Sequence, residues 1–411
     1  MGAGHSHGSH RAHRSDEPEF QVDRTPRVVL LAALAVAGLL TVLGVVMLWP
    51  SHDEVDRIQS QVSFAAPGVT FPTAVVQRVR PACVGDQERD GTCNTIEVAL
   101  DEGPDDGTLV TVQVPPQVAS SGLQEGDRVK LQRSPGHDGG DATYGYFGTV
   151  RTTPLAVLVL VFVVLVLVVA RWRGLFALLG LAFSGVVIWS FMLPALLSGQ
   201  PGLAVGLCGS ALIMFVVLYA THGVSLRTSA ALAGTLVGVL VTALLGVVAA
   251  GAARATGVTD ESAGVLQSLV GDLSFRGLFA CAAVVVGLGV LNDVTITQSS
   301  SVWELRAAAP TMSRVQVFAS SMRIGRDHIA STIYTIVFAY AGTALAVLLV
   351  LQIYGLPVAE LLTTEDITEE VIRTLASSIG LVLAVPLTTG IATMVIPRGA
   401  DEPAAQAANS R

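Results

Sequence analysis

Apolar residues gather in long runs: Val28–Trp49, then 154–170, 174–193, 202–220, 228–250, 277–298, 329–352 and 375–396. A helix rises 1.5 Å per residue, so roughly 20 apolar residues cross a hydrocarbon core. The pattern therefore predicts about eight transmembrane helices. The first run is too long for the core of a signal peptide and has no small-residue cleavage site before Pro50, so it is expected to stay as a helix. Between the first and second runs the period changes to two. Thr73-Ala-Val-Val-Gln-Arg-Val, Thr95-Ile-Glu-Val-Ala-Leu, Thr108-Leu-Val-Thr-Val-Gln-Val and Asp127-Arg-Val-Lys-Leu, parted by Gly, Pro and Asp, read as five or six short strands. The expected fold is mostly α, a polytopic helical membrane bundle with a small β-barrel-like domain of OB or SH3-like type inserted after the first helix. The expected organisation is a disordered His-rich tail (1–26), the first transmembrane helix (27–49), a β domain (50–153), a seven-helix transmembrane domain (154–397) and a disordered tail (398–411).

Charge orients this scheme. Arginines at 24, 27, 171, 173, 227, 306, 314, 323, 326 and 398 fall on one side if the helices alternate, and the acidic segment Glu360–Glu370 falls on the other. Basic residues near helix ends mark the cytoplasmic side, so both termini are expected there and the β domain outside. Hydrophobic residues make up 51% of the 411 positions and charged ones 14%, too apolar a balance for a soluble chain of this size. The net charge of −8 says little about partners by itself, because acids and bases are segregated along the chain; no nucleic-acid partner is expected, and Lys130 is the sole lysine. Cys208 and Cys281 lie in apolar runs as packing residues, whereas Cys83 and Cys93 flank a polar loop and are expected to form a disulfide, free thiols being the alternative. His5, His7, His10 and His13 have imidazoles suited to metals but no framework to order them; a solvated tail is the reading adopted, with no metal site and no cofactor. Asp101–Asp106 reads as a solvated turn, and Val265–Leu273 has the spacing of an interfacial helix.

The chemistry concentrates in the sixth run, which ends in Asn292-Asp293-Val294-Thr295-Ile296-Thr297-Gln298-Ser299-Ser300-Ser301. An unpaired charge inside a membrane costs at least about 2.5 kcal/mol, so such a stripe needs partners or a wet path. Helical spacing aligns Asp293, Thr297, Ser300 or Ser301 and Glu304 as one ribbon, leaving Leu288, Val290, Leu291 and Ile296 for lipid or other helices. The reading is a buried polar pathway for an ion, proton or small solute. Gly325-Arg326-Asp327-His328 is expected to open the seventh helix: Arg326 as a partner for Asp293 or Glu304, Asp327 as an N-cap, His328 as a titratable group. Pro386 marks an expected break in the eighth helix.

The β-like insert after the first helix, Arg171-Trp-Arg-Gly-Leu, the Asn292–Glu304 segment, Gly325-Arg326-Asp327 and Ser378-Ile-Gly-Leu-Val-Leu-Ala-Val-Pro386-Leu together resemble the YibE/F family of bacterial multi-pass membrane proteins, over about residues 60–397. The resemblance implies a bacterial inner membrane but no substrate. Two functions compete: an ion- or proton-coupled transporter, and a non-transporting envelope assembly or sensing protein working through its β domain with an envelope protein partner. Self-association into a homo-oligomer fits either. There is no His-Glu-x-x-His metal motif, nucleophile elbow or Walker A loop, so no enzyme activity is expected.

Overall fold

The computed structural model describes residues 24–61, 64–80, 93–136, 141–258, 261–270, 273–355 and 357–397. The histidines of the N-terminal tail and Cys83, and with it the Cys83–Cys93 pairing, lie outside them. The chain divides into two compact units, residues 57–174 and the remainder.

The first elements in chain order are α1 (Arg24–Met47) and α2 (His52–Gln61). Then come β1 (Thr73–Val79), β2 (Thr95–Leu100), β3 (Leu109–Gln113), the short α3 (Pro116–Ala119), β4 (Arg128–Ser134) and β5 (Thr143–Thr149). The strands form one antiparallel sheet in the order β3-β2-β1-β4-β5. Alternate residues Ala74, Val76, Ile96, Val98, Val129 and Leu131 point inward and are almost wholly buried. That is the period-two pattern read from the sequence, now on the inner face of a curled sheet. Ala74 sits opposite Leu100 on one side and Val129 on the other, and a bulge between Val76 and Arg78 tightens the curl. The edge strands β3 and β5 approach without pairing, so the sheet is a curled half-barrel. The acidic turn is tied into it: Asp101 pairs with Arg128 at 2.6 Å and Asp105 with Arg133 at 2.7 Å.

The helices follow: α4 (Thr152–Val187), which one π-helical turn joins to α5 (Leu193–Leu197), α6 (Gly202–His222), α7 (Leu226–Ala253) and α8 (Glu261–Leu269). After them come α9 (Phe275–Ala308), α10 (Arg314–Thr343), α11 (Leu345–Tyr354), α12 (Val358–Leu361) and α13 (Glu365–Val395). Among the described residues six helical stretches are long and apolar enough to cross a membrane, seven if the bent pair α10–α11 is one span. One of the six is the 46-residue run Thr152–Leu197. Its backbone leaves helical geometry at Arg171 (φ 56°, ψ −132°), between the second and third predicted runs.

In the helical unit α9 packs against α6, α7, α10 and α13. The α7–α13 contact is built from small residues. A Cβ on Gly234 would lie 2.0 Å from Thr388 Oγ1, and one on Gly380 would lie 1.9 Å from Thr242 Oγ1. Each helix thus presses a threonine into a glycine notch of the other, and the pairing 234 with 388 and 242 with 380 makes them antiparallel. Glycine allows this approach because it has no side chain to exclude the neighbour. Helix α13 runs unbroken through Pro386, contrary to the expected break. The bend lies instead between α10 and α11, where the axis turns by 65° about Ala344. A proline forfeits one backbone hydrogen bond, which surrounding helices make tolerable.

Candidate functional site

Helix α9 carries two polar faces. The predicted ribbon points away from the core. Asp293 is 74% exposed, and its carboxylate lies 3.8 Å from Nε2 of His328, itself 28% exposed. That separation is an ion pair when the imidazole is protonated and too long for a hydrogen bond. Glu304, also exposed, faces Arg227 at 3.9 Å. Thr297 and Ser300 are half-buried, and Asn292 is half-buried with an Oδ1 that no donor among the described residues reaches. Leu288 and Leu291 are buried against other helices, one of the two settings expected for them, whereas the acidic ribbon expected to be buried is on the outside.

The groups around His328 also differ from expectation. Helix α10 starts at Arg314, capped by Ser313, whose side chain accepts from the Gln316 N–H while Gln316 accepts from the Ser313 N–H. Asp327 is therefore deep inside the helix and caps nothing. Arg326 and Asp327 are exposed, and the acids proposed for Arg326 face His328 and Arg227 instead. The reciprocal Ser313–Gln316 box was legible in the sequence and locates the true start.

The inward face of α9 holds Thr295, Gln298 and Ser299, all buried. Gln298 Nε2 donates to the Ser321 carbonyl at 2.8 Å, Ser299 Oγ donates to the Arg227 carbonyl at 2.7 Å, and the Thr295 and Thr235 hydroxyls lie 2.6 Å apart. Gly325 is flat against Gln298; a Cβ there would lie 2.9 Å from its amide oxygen. These residues join α9 to α7 and α10. Sequence reasoning passed over them, although their spacing of three and four residues put them on a common face.

A second group of charges lies where α13 begins. Glu369 is only 2% exposed and accepts the Gly257 N–H at 2.7 Å; Glu365 accepts the N–H and hydroxyl of Thr256 at 2.6 and 2.8 Å. Arg373 pairs with Glu370 at 2.7 Å and lies 5.3 Å over the Phe279 ring. Gly257 has φ +84°, and a Cβ there would lie 2.5 Å from the Phe275 carbonyl oxygen, so only glycine presents this amide to Glu369. The sequence reading treated the acidic segment as topology alone. Beside it, at the α10–α11 bend, is a largely apolar groove of about 240 Å³ lined by residues including Val337, Tyr340, Ala344, Ile367 and Glu370. In the half-barrel, Tyr144 and then Arg133 donate to Asp105 and hold its carboxyl below the ordinary aspartate value of 3.8.

Among the described residues no group of three or more His, Cys, Asp or Glu side chains converges as a metal site. No curated protein and no solved structure matches the chain. The family model described as YibE/F-like protein matches residues 158–398, which takes in α9, α10, α13 and every residue of the two polar faces. The apolar helices and this match make the chain a membrane protein that belongs to the YibE/F-like family.

Proposed function

We propose that the protein is a multi-pass permease of a bacterial cytoplasmic membrane that couples a proton or cation to the movement of a small solute through the Asp293–His328 pair. The observation that carries this reading is the 3.8 Å approach of an exposed carboxylate on α9 to an imidazole on α10. The pair stands apart from the packed core, so a change in its charge leaves the packing behind it in place. The bend at Ala344 supports the same reading, since interrupted helices flank the sites of many secondary transporters. At 1.5 Å per residue the run Thr152–Leu197 would be about 69 Å long, twice the hydrocarbon thickness, so it counts as two passes parted at Arg171. With the bent pair as one pass, eight crossings result and both termini are cytoplasmic.

The test is proton and cation flux in liposomes containing wild type, Asp293→Asn or His328→Gln, with thermal stability recorded for each. The permease reading requires flux in wild type and its loss in Asp293→Asn at unchanged stability. Absence of flux from well-folded wild type favours the alternative, an envelope assembly or sensing protein acting through the half-barrel.

A further inference from the structure

Phe64, Phe71 and Phe147 stack into one cluster on the half-barrel unit. Ring centroids are 5.4 Å apart for Phe64 and Phe71, 4.7 Å for Phe71 and Phe147, and 6.0 Å for Phe64 and Phe147. The sheet closes its core without them, and Phe64 is 79% and Phe147 47% exposed. Three phenyl rings gathered outside a complete core need an apolar neighbour, because water around them is the costly alternative.

The chain itself indicates which neighbour. Phe147 precedes Thr152, the first residue of α4, by five positions, at most about 17 Å of extended backbone. From Thr152 to Ala170 the chain is almost wholly apolar, with nearly every side chain exposed. That stretch rises about 28 Å, close to the roughly 30 Å of a hydrocarbon core. Arg151 stands at one end and Arg171-Trp172-Arg173 at the other, the residue types that settle at the two membrane surfaces. The aromatic cluster is thus tethered within a short reach of the bilayer surface next to Arg151.

We propose that Phe64, Phe71 and Phe147 rest in the boundary between lipid headgroups and acyl chains, and hold the half-barrel down on the membrane. The rings supply the buried apolar area, and the partner is the lipid surface itself, without need of a particular headgroup. This inference rests on the membrane reading of residues 152–170 and is independent of whether the protein transports anything.

The test uses the full chain in liposomes. Cysteines at Phe64, Phe147 and, as a control, Glu125 are introduced one at a time with Cys208 and Cys281 replaced by alanine, labelled with a polarity-sensitive fluorophore under non-reducing conditions, and read against the same protein without the introduced cysteine, which reports any label on Cys83 or Cys93. Phe64 and Glu125 are exposed, so those substitutions leave folding intact, which melting curves of the labelled proteins verify. Labels at 64 and 147 should emit to the blue of the control and be quenched several-fold more by shallow doxyl lipids, while iodide quenches the control. Iodide quenching at all three positions would overturn the proposal, with the unit standing clear of the membrane. Protection of 64 and 147 from both quenchers would overturn it too, in favour of a protein partner or a second copy.

Discussion

The two polar faces of α9 have similar residue types and opposite duties. The inner one, Thr295-Gln298-Ser299, is buried and tied to backbone carbonyls of α7 and α10. The outer one, Asp293-Ser300-Glu304, meets single partners across 3.8 and 3.9 Å and is otherwise open. Among these side chains the carboxylates are outside and the neutral groups inside, while Arg306 of the same helix is buried and donates to the carbonyls of Pro310 and Met312. Burying a neutral amide costs little once it is hydrogen-bonded, whereas burying a carboxylate costs several kcal/mol even when paired. Polarity along α9 therefore does not identify the packed face: neutral Thr295, Gln298 and Ser299 lie on it, while Asp293 and Glu304 lie off it.

Substitutions graded across the two faces sharpen this contrast. The largest effect belongs to the notch behind the inner face. Gly234→Val drives a side chain into Thr388 and should cost about 3 kcal/mol, seen as a lowered melting temperature in detergent. Adding Thr388→Gly should restore part of the loss; a Gly234→Val protein that melts like wild type would refute the notch. Gln298→Leu removes the side-chain bond to the Ser321 carbonyl, which keeps its helical partner, and should cost about 1 kcal/mol by the same assay, with no change in the charge of the protein. Asp293→Asn, on the outer face, should shift stability by less than about 0.5 kcal/mol. A large shift there would mean that the acidic face is a packing surface after all.

The smallest effect is expected in the half-barrel, where the Asp105 cluster is open to solvent. Its folded carboxyl titrates below the unfolded value near 3.8, so the unfolded chain takes up the proton first as pH falls. The cluster's contribution is complete above that value and disappears as pH drops through the lowered folded one. Melting of the sheet between pH 6 and pH 3 should show a modest acid loss, smaller in Tyr144→Phe; equal acid sensitivity in both would remove Tyr144 from the cluster.

Element types were legible because each depends on a local period: runs of about twenty for the helices, alternation around Val76 and Val98 for the strands. The break near Arg171 fell between two predicted runs for the same reason. Facing was not legible in α9, because Gly, Ala, Thr and Ser surround the helix and only three-dimensional packing chooses among them. Glu369 shows the limit most plainly. Its burial depends on an amide of Gly257, more than a hundred residues away and in a left-handed conformation that no local pattern announces.

The reciprocal notches of α7 and α13 have a mechanical consequence. Two threonines seated in opposite directions, Thr242 and Thr388, leave neither helix free to slide along the other or roll about its axis without forcing backbones apart. This pair is the stiff spine of the helical unit. Compliance is left to the flank, where α11 buries none of its residues beyond the 65° turn at Ala344. A spectroscopic ruler between α7 and α13 should return a narrow distance distribution, and one between α11 and α13 a broader one.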